Sequence, residues 1–370
     1  MLNMKNKKLI ITVYAIAKNE EKFIDRWYKS MCEADNIVVL DTGSTDNTVK
    51  KLKEKGVTVK PLLISPFRFD VARNESLKLI PQNTDICVCT DLDEIFEPGW
   101  REKLEKNWKE NTQILKYRYV WNVLENSEDG ITFLYEKIHK LNNFKWVNPV
   151  HEILQPLTPI KPDEIVVCKD IVLRHYPDPN KSRNQYLNLL ELSVKEDPNN
   201  DRNTHYLARE YMFKELYSKA IKMFKKHLIL PSATWKDERS ASYRYIGDCY
   251  LKLNKSNLAK KAYEKAIKES FNIREPYLSL AEFYYNKKNY LNCAFVLKNM
   301  LEIKTKNLTY ITHPNCWNDY PLDMLSFCYY KLNKFDLACF YAQKAILINP
   351  NNQRLKNNLK IYEECLKLNN

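Results

Sequence analysis

The sequence predicts two folds in tandem: an N-terminal α/β domain built on a mainly parallel sheet, followed by an all-α domain of helical repeats. Three observations lead there. Through the first part of the chain, apolar β-prone runs alternate with segments of helical period, and that alternation calls for a largely parallel sheet covered by helices. Beyond Pro177-Asp178-Pro179 the strand signals stop, and a pattern of small residue, tyrosine, small residue recurs instead. A chain of 370 residues, 44% hydrophobic and 28% charged, can bury two cores. The expected boundaries are an α/β domain over 1–180, a linker helix over 181–200, and a repeat domain with a capping helix over 201–370.

Composition narrows the function. The five glycines stand at 43, 56, 99, 130 and 247, too scattered for a G-x-G-x-x-G dinucleotide loop or a phosphate-binding P-loop. Ten cysteines show no C-x-x-C pair and mostly occupy apolar runs, as reduced core residues of a cytoplasmic protein would. The net charge of +13 is spread along the chain without a dense basic block, which reads as a solvated surface and not as a nucleic-acid site. Leu9 to Ala17 is short and runs directly into Lys18-Asn19-Glu20-Glu21, so it reads as a strand and not as a signal peptide. No apolar run reaches the length of a transmembrane segment.

Leu9 to Ala17 is the first expected strand. Glu20 to Met31 is a helix with Phe23, Ile24, Trp27 and Met31 on one face. Asn36 to Leu40 is the second strand, and the turn Asp41 to Thr48 leads into a helix that ends near Lys55. Val57 to Ile64 is a strand, Asp70 to Ile80 a helix, and Asp85 to Thr90 a strand that ends in Asp91, Leu92, Asp93 and Glu94. Three carboxylates there are costly unless a cation satisfies them. Strand alternation would put Asp91 and Asp93 on one side, able to share that cation at the sheet edge where ligands bind. Equally, these residues could cap a helix starting near Pro98 and Gly99. Ile114 to Val123 and Ile131 to Leu141 suggest an antiparallel pair turning around Asn126 to Gly130, and Val166 to Tyr176 a last strand.

Four segments in register carry a resemblance: Ala17-Lys18-Asn19-Glu20-Glu21, Val39-Leu40-Asp41-Thr42-Gly43-Ser44-Thr45-Asp46, Ala72-Arg73-Asn74 and Asp91-Leu92-Asp93. Together they resemble the family 2 glycosyltransferases, whose GT-A fold is a Rossmann-like α/β domain. The resemblance implies that Asn19, Glu20, Asp41, Arg73, Asp91 and Leu92 serve the nucleotide-sugar, and that Asp91 and Asp93 form a metal site with His175 as a third ligand. Mn²⁺ or Mg²⁺ would suit carboxylates and a diphosphate. By residue pattern alone, Asp41 could equally cap a helix, Arg73 could form a surface ion pair, and His175 could be structural. The segment Trp146-Val147-Asn148-Pro149-Val150-His151-Glu152 resembles the acceptor side of bacterial members. An inverting transfer needs one base there, with Glu152 the first choice and His151 the second, although both could merely orient a loop. The Gln-x-x-Arg-Trp signature of processive members is missing, which argues against a polymer synthase.

In the C-terminal half the recurring sets are Ala208, Tyr211 and Ala220; Gly247, Tyr250 and Ala259; Ala281, Tyr284 and Cys293; and Ser326, Tyr329 and Ala338. They resemble the tetratricopeptide repeat, with longer loops expected near Leu230 to Glu238 and Lys304 to Tyr320 and a capping helix over Asn351 to Leu368. The whole is similar to bacterial peptide S-glycosyltransferases and lipopolysaccharide-core glycosyltransferases. That resemblance implies a hexose moved with inversion from UDP-glucose or UDP-GlcNAc to a peptide, protein or glycan, with the repeats holding the acceptor or a second copy of the chain. The other class of reading is a repeat adaptor with a degenerate transferase domain. A sugar nucleotidyltransferase would carry a glycine-rich loop where Ala17-Lys18-Asn19-Glu20 stand.

Overall fold

The computed structural model describes residues 8–124, 128–179, 185–308 and 310–369. The expected turn at Asn126 and the first residues of the expected linker helix, 181–184, lie outside them. The chain divides into two compact units, Met1–Glu196 and Asp197–Asn370.

Among the described residues, ten strands belong to the first unit: β1 (Ile11–Ala17), β2 (Asn36–Asp41), β3 (Thr58–Pro61), β4 (Ile86–Cys89), β5 (Glu94–Phe96), β6 (Ile114–Val120), β7 (Thr132–Lys140), β8 (Phe144–Val147), β9 (Ile153–Pro156) and β10 (Ile165–His175). Eight of them form one sheet in the order β3-β2-β1-β4-β7-β6-β10-β5, and β8 and β9 pair separately as a hairpin. Only β7 and β5 run against the other strands of the large sheet, so the mainly parallel GT-A arrangement holds. β6 and β7 form the expected antiparallel pair. Three elements were not legible in the pattern: β5, β8 and β9 are each too short to show a period.

The central strands are buried on both faces, as parallel strands between helix layers must be. Val13 and Val88 pack into one core with Ile24, Trp27 and Met31 of helix α1 (Ile24–Met31), whereas Tyr14, Cys87 and Cys89 face the other side with Phe144, Trp146 and Leu154. Helices α2 (Thr48–Glu54), α3 (Phe69–Leu77) and α4 (Trp100–Asn107) follow β2, β3 and β5, and α5 (Tyr186–Glu196) closes the unit. Before α4, Gly99 adopts φ 78°, and its N–H donates to Glu33 Oε1 at 2.8 Å while the Arg101 N–H donates to Glu33 Oε2 at 3.0 Å. Glu33 therefore caps this helix from elsewhere in the chain, and Asp91 to Glu94 do not.

The second unit stacks α6 (Asp201–Phe213), α7 (Tyr217–Ile229), α8 (Lys236–Lys252), α9 (Ser256–Glu269), α10 (Glu275–Asn286), α11 (Tyr290–Glu302), α12 (Tyr320–Lys331), α13 (Phe335–Ile348) and α14 (Gln353–Asn369). The repeated small residues lie where paired helices approach: Ala208, Ala220, Ala259, Ala281, Cys293, Ser326 and Ala338 are fully buried. A methyl on Gly247 would stand 2.5 Å from the Tyr263 ring, so this crossing tolerates glycine alone. Gly247→Val is expected to lose about 1–3 kcal/mol through overpacking. That loss reads as a lower denaturation midpoint, and an unchanged midpoint would show that Tyr263 can yield.

Candidate active site

The ends of β1 and β2 are tied together by their loops. Asn19 takes φ 56°, a left-handed conformation asparagine tolerates, and its N–H donates to Ser44 Oγ at 2.9 Å. Its Oδ1 accepts from the Thr45 N–H at 2.7 Å, and the Glu20 N–H donates to Thr48 Oγ1 at 2.8 Å. Asp41, buried at the end of β2, accepts from the N–H groups of Gly43 at 3.2 Å and Ser44 at 3.1 Å, and from the Ser44 hydroxyl at 2.5 Å. It thus folds its own turn. The N–H of Thr48 at the start of α2 goes to Asp46 Oδ1 at 3.0 Å, so Asp46 serves the helix end that Asp41 might have served.

After β4 the chain does not continue as a strand. The Glu94 N–H donates to the Asp91 carbonyl at 3.1 Å, closing a turn, so the alternation that would have set Asp91 and Asp93 side by side does not apply. Asp91 faces two protein cations: Arg73 through Nη2, and Lys137 through Nζ at 3.1 Å. Lys137 also reaches Glu94 Oε1 at 3.4 Å, which in addition accepts the Tyr119 hydroxyl at 2.9 Å, while the Asp91 N–H donates to Glu94 Oε2 at 2.8 Å. Arg73 further donates through Nε to Glu152 Oε1 at 3.1 Å and stacks over Trp146 at 5.6 Å. Arg73 and Lys137 are almost wholly buried, at 2% and 4% side-chain exposure, but Asp91 keeps 36% and so stays open to a ligand.

Desolvation works against charge on Asp91, yet Arg73 and Lys137 outweigh it and hold its carboxyl well below the usual carboxylate range. For Glu94, burial prevails and pushes its pKa up, with the Asp91 charge adding to it. The cations that satisfy these carboxylates therefore come from the chain itself. Arg73 lies beneath the site, where it holds two carboxylates. Lys137 escaped the sequence pattern, its one trace being a lysine in the middle of an otherwise β-prone run. Leu92, expected at the donor side, has its side chain in the hydrophobic core at 2% exposure, because the turn directs it inward.

Asp93 meets His175 instead. Nε2 of His175 lies 3.3 Å from Asp93 Oδ2, and the Tyr176 N–H donates to the Asp93 carbonyl at 2.8 Å. Nδ1 of His175 is 2.9 Å from the Trp121 carbonyl, which can only accept, so Nδ1 carries the hydrogen and the neutral ring turns the Nε2 lone pair toward Asp93. Without an ion there, burial lowers the His175 pKa, but the Asp93 hydrogen bond and charge raise it above its ordinary value. One carboxylate oxygen and one oriented imidazole nitrogen at this spacing fit a divalent ion held at about 2.1 Å from each, with Trp121 as the outer partner. A cleft beside His175 is walled by Phe23, Arg26 and Tyr176.

The segment expected on the acceptor side forms the turn of the β8–β9 hairpin, where Asn148 and His151 take φ 81° and 52°. Asn74 clamps its base: the side-chain amide donates to the Trp146 carbonyl at 2.8 Å, and Oδ1 accepts the Trp146 N–H at 2.9 Å. The Trp146 indole donates to the Tyr14 hydroxyl at 3.0 Å, which in turn lies 2.8 Å from Nε2 of His139, kept neutral by burial with its pKa lowered to about 4. Glu152 then joins Arg73, while the His151 ring packs against Tyr186 of α5 at 5.8 Å. The two candidate bases thus have different neighbours.

Among the described residues, one group of three possible metal ligands is found, His205, His227 and Glu238 in the second unit. Hydrogen bonds occupy part of it: Ser242 Oγ lies 2.8 Å from His205 Nδ1 and 2.9 Å from His227 Nδ1, and the Tyr310 hydroxyl lies 2.8 Å from His205 Nε2, while His227 Nε2 has no hydrogen-bond partner and stands 3.3 Å from Glu238 Oε1.

With this geometry in place, the comparisons are direct. The family model described as glycosyl transferase family 2 matches residues 12–161, and a tetratricopeptide repeat matches residues 246–272. A model described as the prolyl 4-hydroxylase peptide-substrate-binding domain matches residues 275–368. Solved structures similar to this chain include MamA, at 20% identity and TM-score 0.36 over 44% of this chain and 81% of that one. Another is a repeat-containing protein from Cytophaga hutchinsonii, at 16% identity and TM-score 0.42 over 50% and 67%. YrrB, described as a TPR protein with an unusual peptide-binding site, is 17% identical with TM-score 0.36 over 48% and 82%. No curated protein matches. The chain thus carries a family 2 glycosyltransferase domain followed by tetratricopeptide repeats, a domain that implies a nucleotide-sugar donor and an acceptor. No helix among the described residues is long and apolar enough to cross a membrane.

Lys137→Met would leave Glu94, 1% exposed, without its cation, at an expected cost of about 3–5 kcal/mol. The double variant Lys137→Met/Glu94→Gln should recover part of that loss in denaturant titrations. Additive losses would show that the pair does not couple.

Proposed function

We propose that the protein transfers a hexose with inversion from a nucleotide-sugar, UDP-glucose or UDP-GlcNAc, to a peptide or protein acceptor, with a divalent ion, Mn²⁺ or Mg²⁺, at Asp93 and His175. The observation that carries this reading is the Asp93–His175 pair at 3.3 Å, with Nδ1 of His175 committed to the Trp121 carbonyl. An ion held there would offset the charge that builds on the diphosphate as the sugar leaves. Asn19, Glu20 and Asp41 shape the neighbouring loops against which the nucleoside rests. Arg73 and Lys137 keep Asp91 ionised and aimed at the ribose or the ion.

Glu152 takes the proton from the acceptor nucleophile, and His151, one residue earlier on the same turn, is the second candidate for that role. Both are carried on a hairpin that Asn74 and Arg73 fix to the donor side, which supports a base held still relative to the sugar. The repeats hold the acceptor. The match of residues 275–368 to a peptide-substrate-binding domain favours a peptide over a glycan.

Nucleotide-sugars incubated with the protein, with and without Mn²⁺ or Mg²⁺, test the donor half. Metal-dependent hydrolysis of a UDP-hexose is expected, reduced about 100-fold or more in Asp93→Ala and His175→Ala. No turnover of any donor with either ion would sink the proposal. Glu152→Gln should slow transfer by about 10²–10⁴ while nucleotide affinity stays unchanged. A wild-type rate would move the base to His151.

A further inference from the structure

The interior of the second unit encloses two imidazoles and a carboxylate. His205 on α6, His227 in the last turn of α7 and Glu238 in the first turn of α8 are 0%, 0% and 3% exposed. One possible ligand atom from each lies within 4.8 Å of the others. Polar groups so enclosed are costly unless each finds a partner. Both nitrogens of His205 have one, but Nε2 of His227 is buried with no hydrogen-bond partner and points toward Glu238 Oε1, 3.3 Å away.

Ser242 Oγ spans the two rings, 2.8 Å from Nδ1 of His205 and 2.9 Å from Nδ1 of His227. Its oxygen can accept a hydrogen from both, and in that arrangement each Nε2 presents a lone pair, that of His205 to the Tyr310 hydroxyl at 2.8 Å and that of His227 to Glu238. A partner on the far nitrogen is what orients a ligating imidazole. Burial, with the charges of Arg209, Arg202 and Arg244 adding to it, keeps the His205 ring neutral, which is the form that ligates.

We infer that His205 Nε2, His227 Nε2 and Glu238 Oε1 form a structural zinc site, completed by the Tyr310 hydroxyl oxygen. Ligands at about 2.0–2.1 Å from a tetrahedral zinc stand roughly 3.3 Å from one another. The His227–Glu238 pair is at that spacing, and His205 with Tyr310 closes the set by a short inward movement. Two nitrogens and two oxygens favour zinc over magnesium or calcium, which take oxygen ligands. The arginines whose charge reaches the cluster oppose a bare dication. Glu238 as carboxylate and Tyr310 as phenolate, its proton released to solvent, bring the bound ion to neutrality. The ion ties α6, α7 and α8 to the segment between α11 and α12, so its binding stabilises the repeat unit. This site is independent of the transferase reading and of the ion proposed at Asp93 and His175.

The test uses the full chain carrying Asp93→Ala, so that the pair in the first unit contributes nothing. After chelation and dialysis against Zn²⁺, elemental mass spectrometry should find one zinc per chain. In competition with a chromophoric chelator, adding Glu238→Gln or His227→Gln should weaken zinc binding by about 100-fold or more. Cobalt in place of zinc should give the visible bands of tetrahedral nitrogen and oxygen coordination, without the near-ultraviolet charge-transfer band of a thiolate. Zn²⁺ should raise the thermal midpoint of the Asp93→Ala chain and leave that of the Asp93→Ala/Glu238→Gln chain unmoved, while Mg²⁺ moves neither. A chain without bound zinc, equal binding by the Glu238→Gln variant, or a thiolate band in the cobalt spectrum overturns the inference. Metal content and the cobalt spectrum are read on the Asp93→Ala chain itself, so they decide the matter even where a Glu238 variant does not fold. No donor or acceptor enters the assay, so failure of the transferase reading and failure of this site are separately visible.

Discussion

The buried guanidinium of Arg73 is the interaction on which the strand-end face of the first unit depends. A charge this enclosed is tolerable only with close partners, and it finds them in Asp91 at the end of β4 and Glu152 on the β8–β9 hairpin. One side chain thereby ties the end of β4 to the turn of the β8–β9 hairpin. Trp146 covers the guanidinium, and Asn74, the next residue along α3, holds the hairpin backbone. Preorganisation of this kind costs stability locally and gains geometry where a reaction needs it.

Sheet topology does the rest of the gathering. β1, β2, β4 and β10 run the same way, so Asn19, Asp41, Asp91 and His175 emerge along one edge although far apart in sequence. The antiparallel strand β7 enters between β4 and β6 and delivers Lys137 under the carboxylates. Neutralisation by Arg73 and Lys137 settles Asp91 and Glu94 within the protein, which leaves Asp93 and His175 as the pair suited to an added ion.

The repeat unit follows different physics. Its helices are spaced by small residues, and close approach at Gly247 leaves no room for a side chain. Its polar interior is a chain of hydrogen bonds from Tyr310 through His205 and Ser242 to His227, bordered by arginines that rest on rings.

By itself, the sequence determined the two-fold architecture, the strands and helices long enough to show a period, the repeat registers and the motif residues at the strand ends, because these follow from local spacing. It read the Asp91 to Glu94 stretch as a strand end with aligned carboxylates or as a helix cap, and tertiary structure decided against both. A turn sends Asp91 toward Arg73 and Lys137 and Asp93 toward His175, while Glu33 caps the helix. Those partners lie from 18 to 82 positions away along the chain, or on a different strand or loop. The charge balance of a buried group is a property of what surrounds it in space, and one-dimensional spacing carries no record of that.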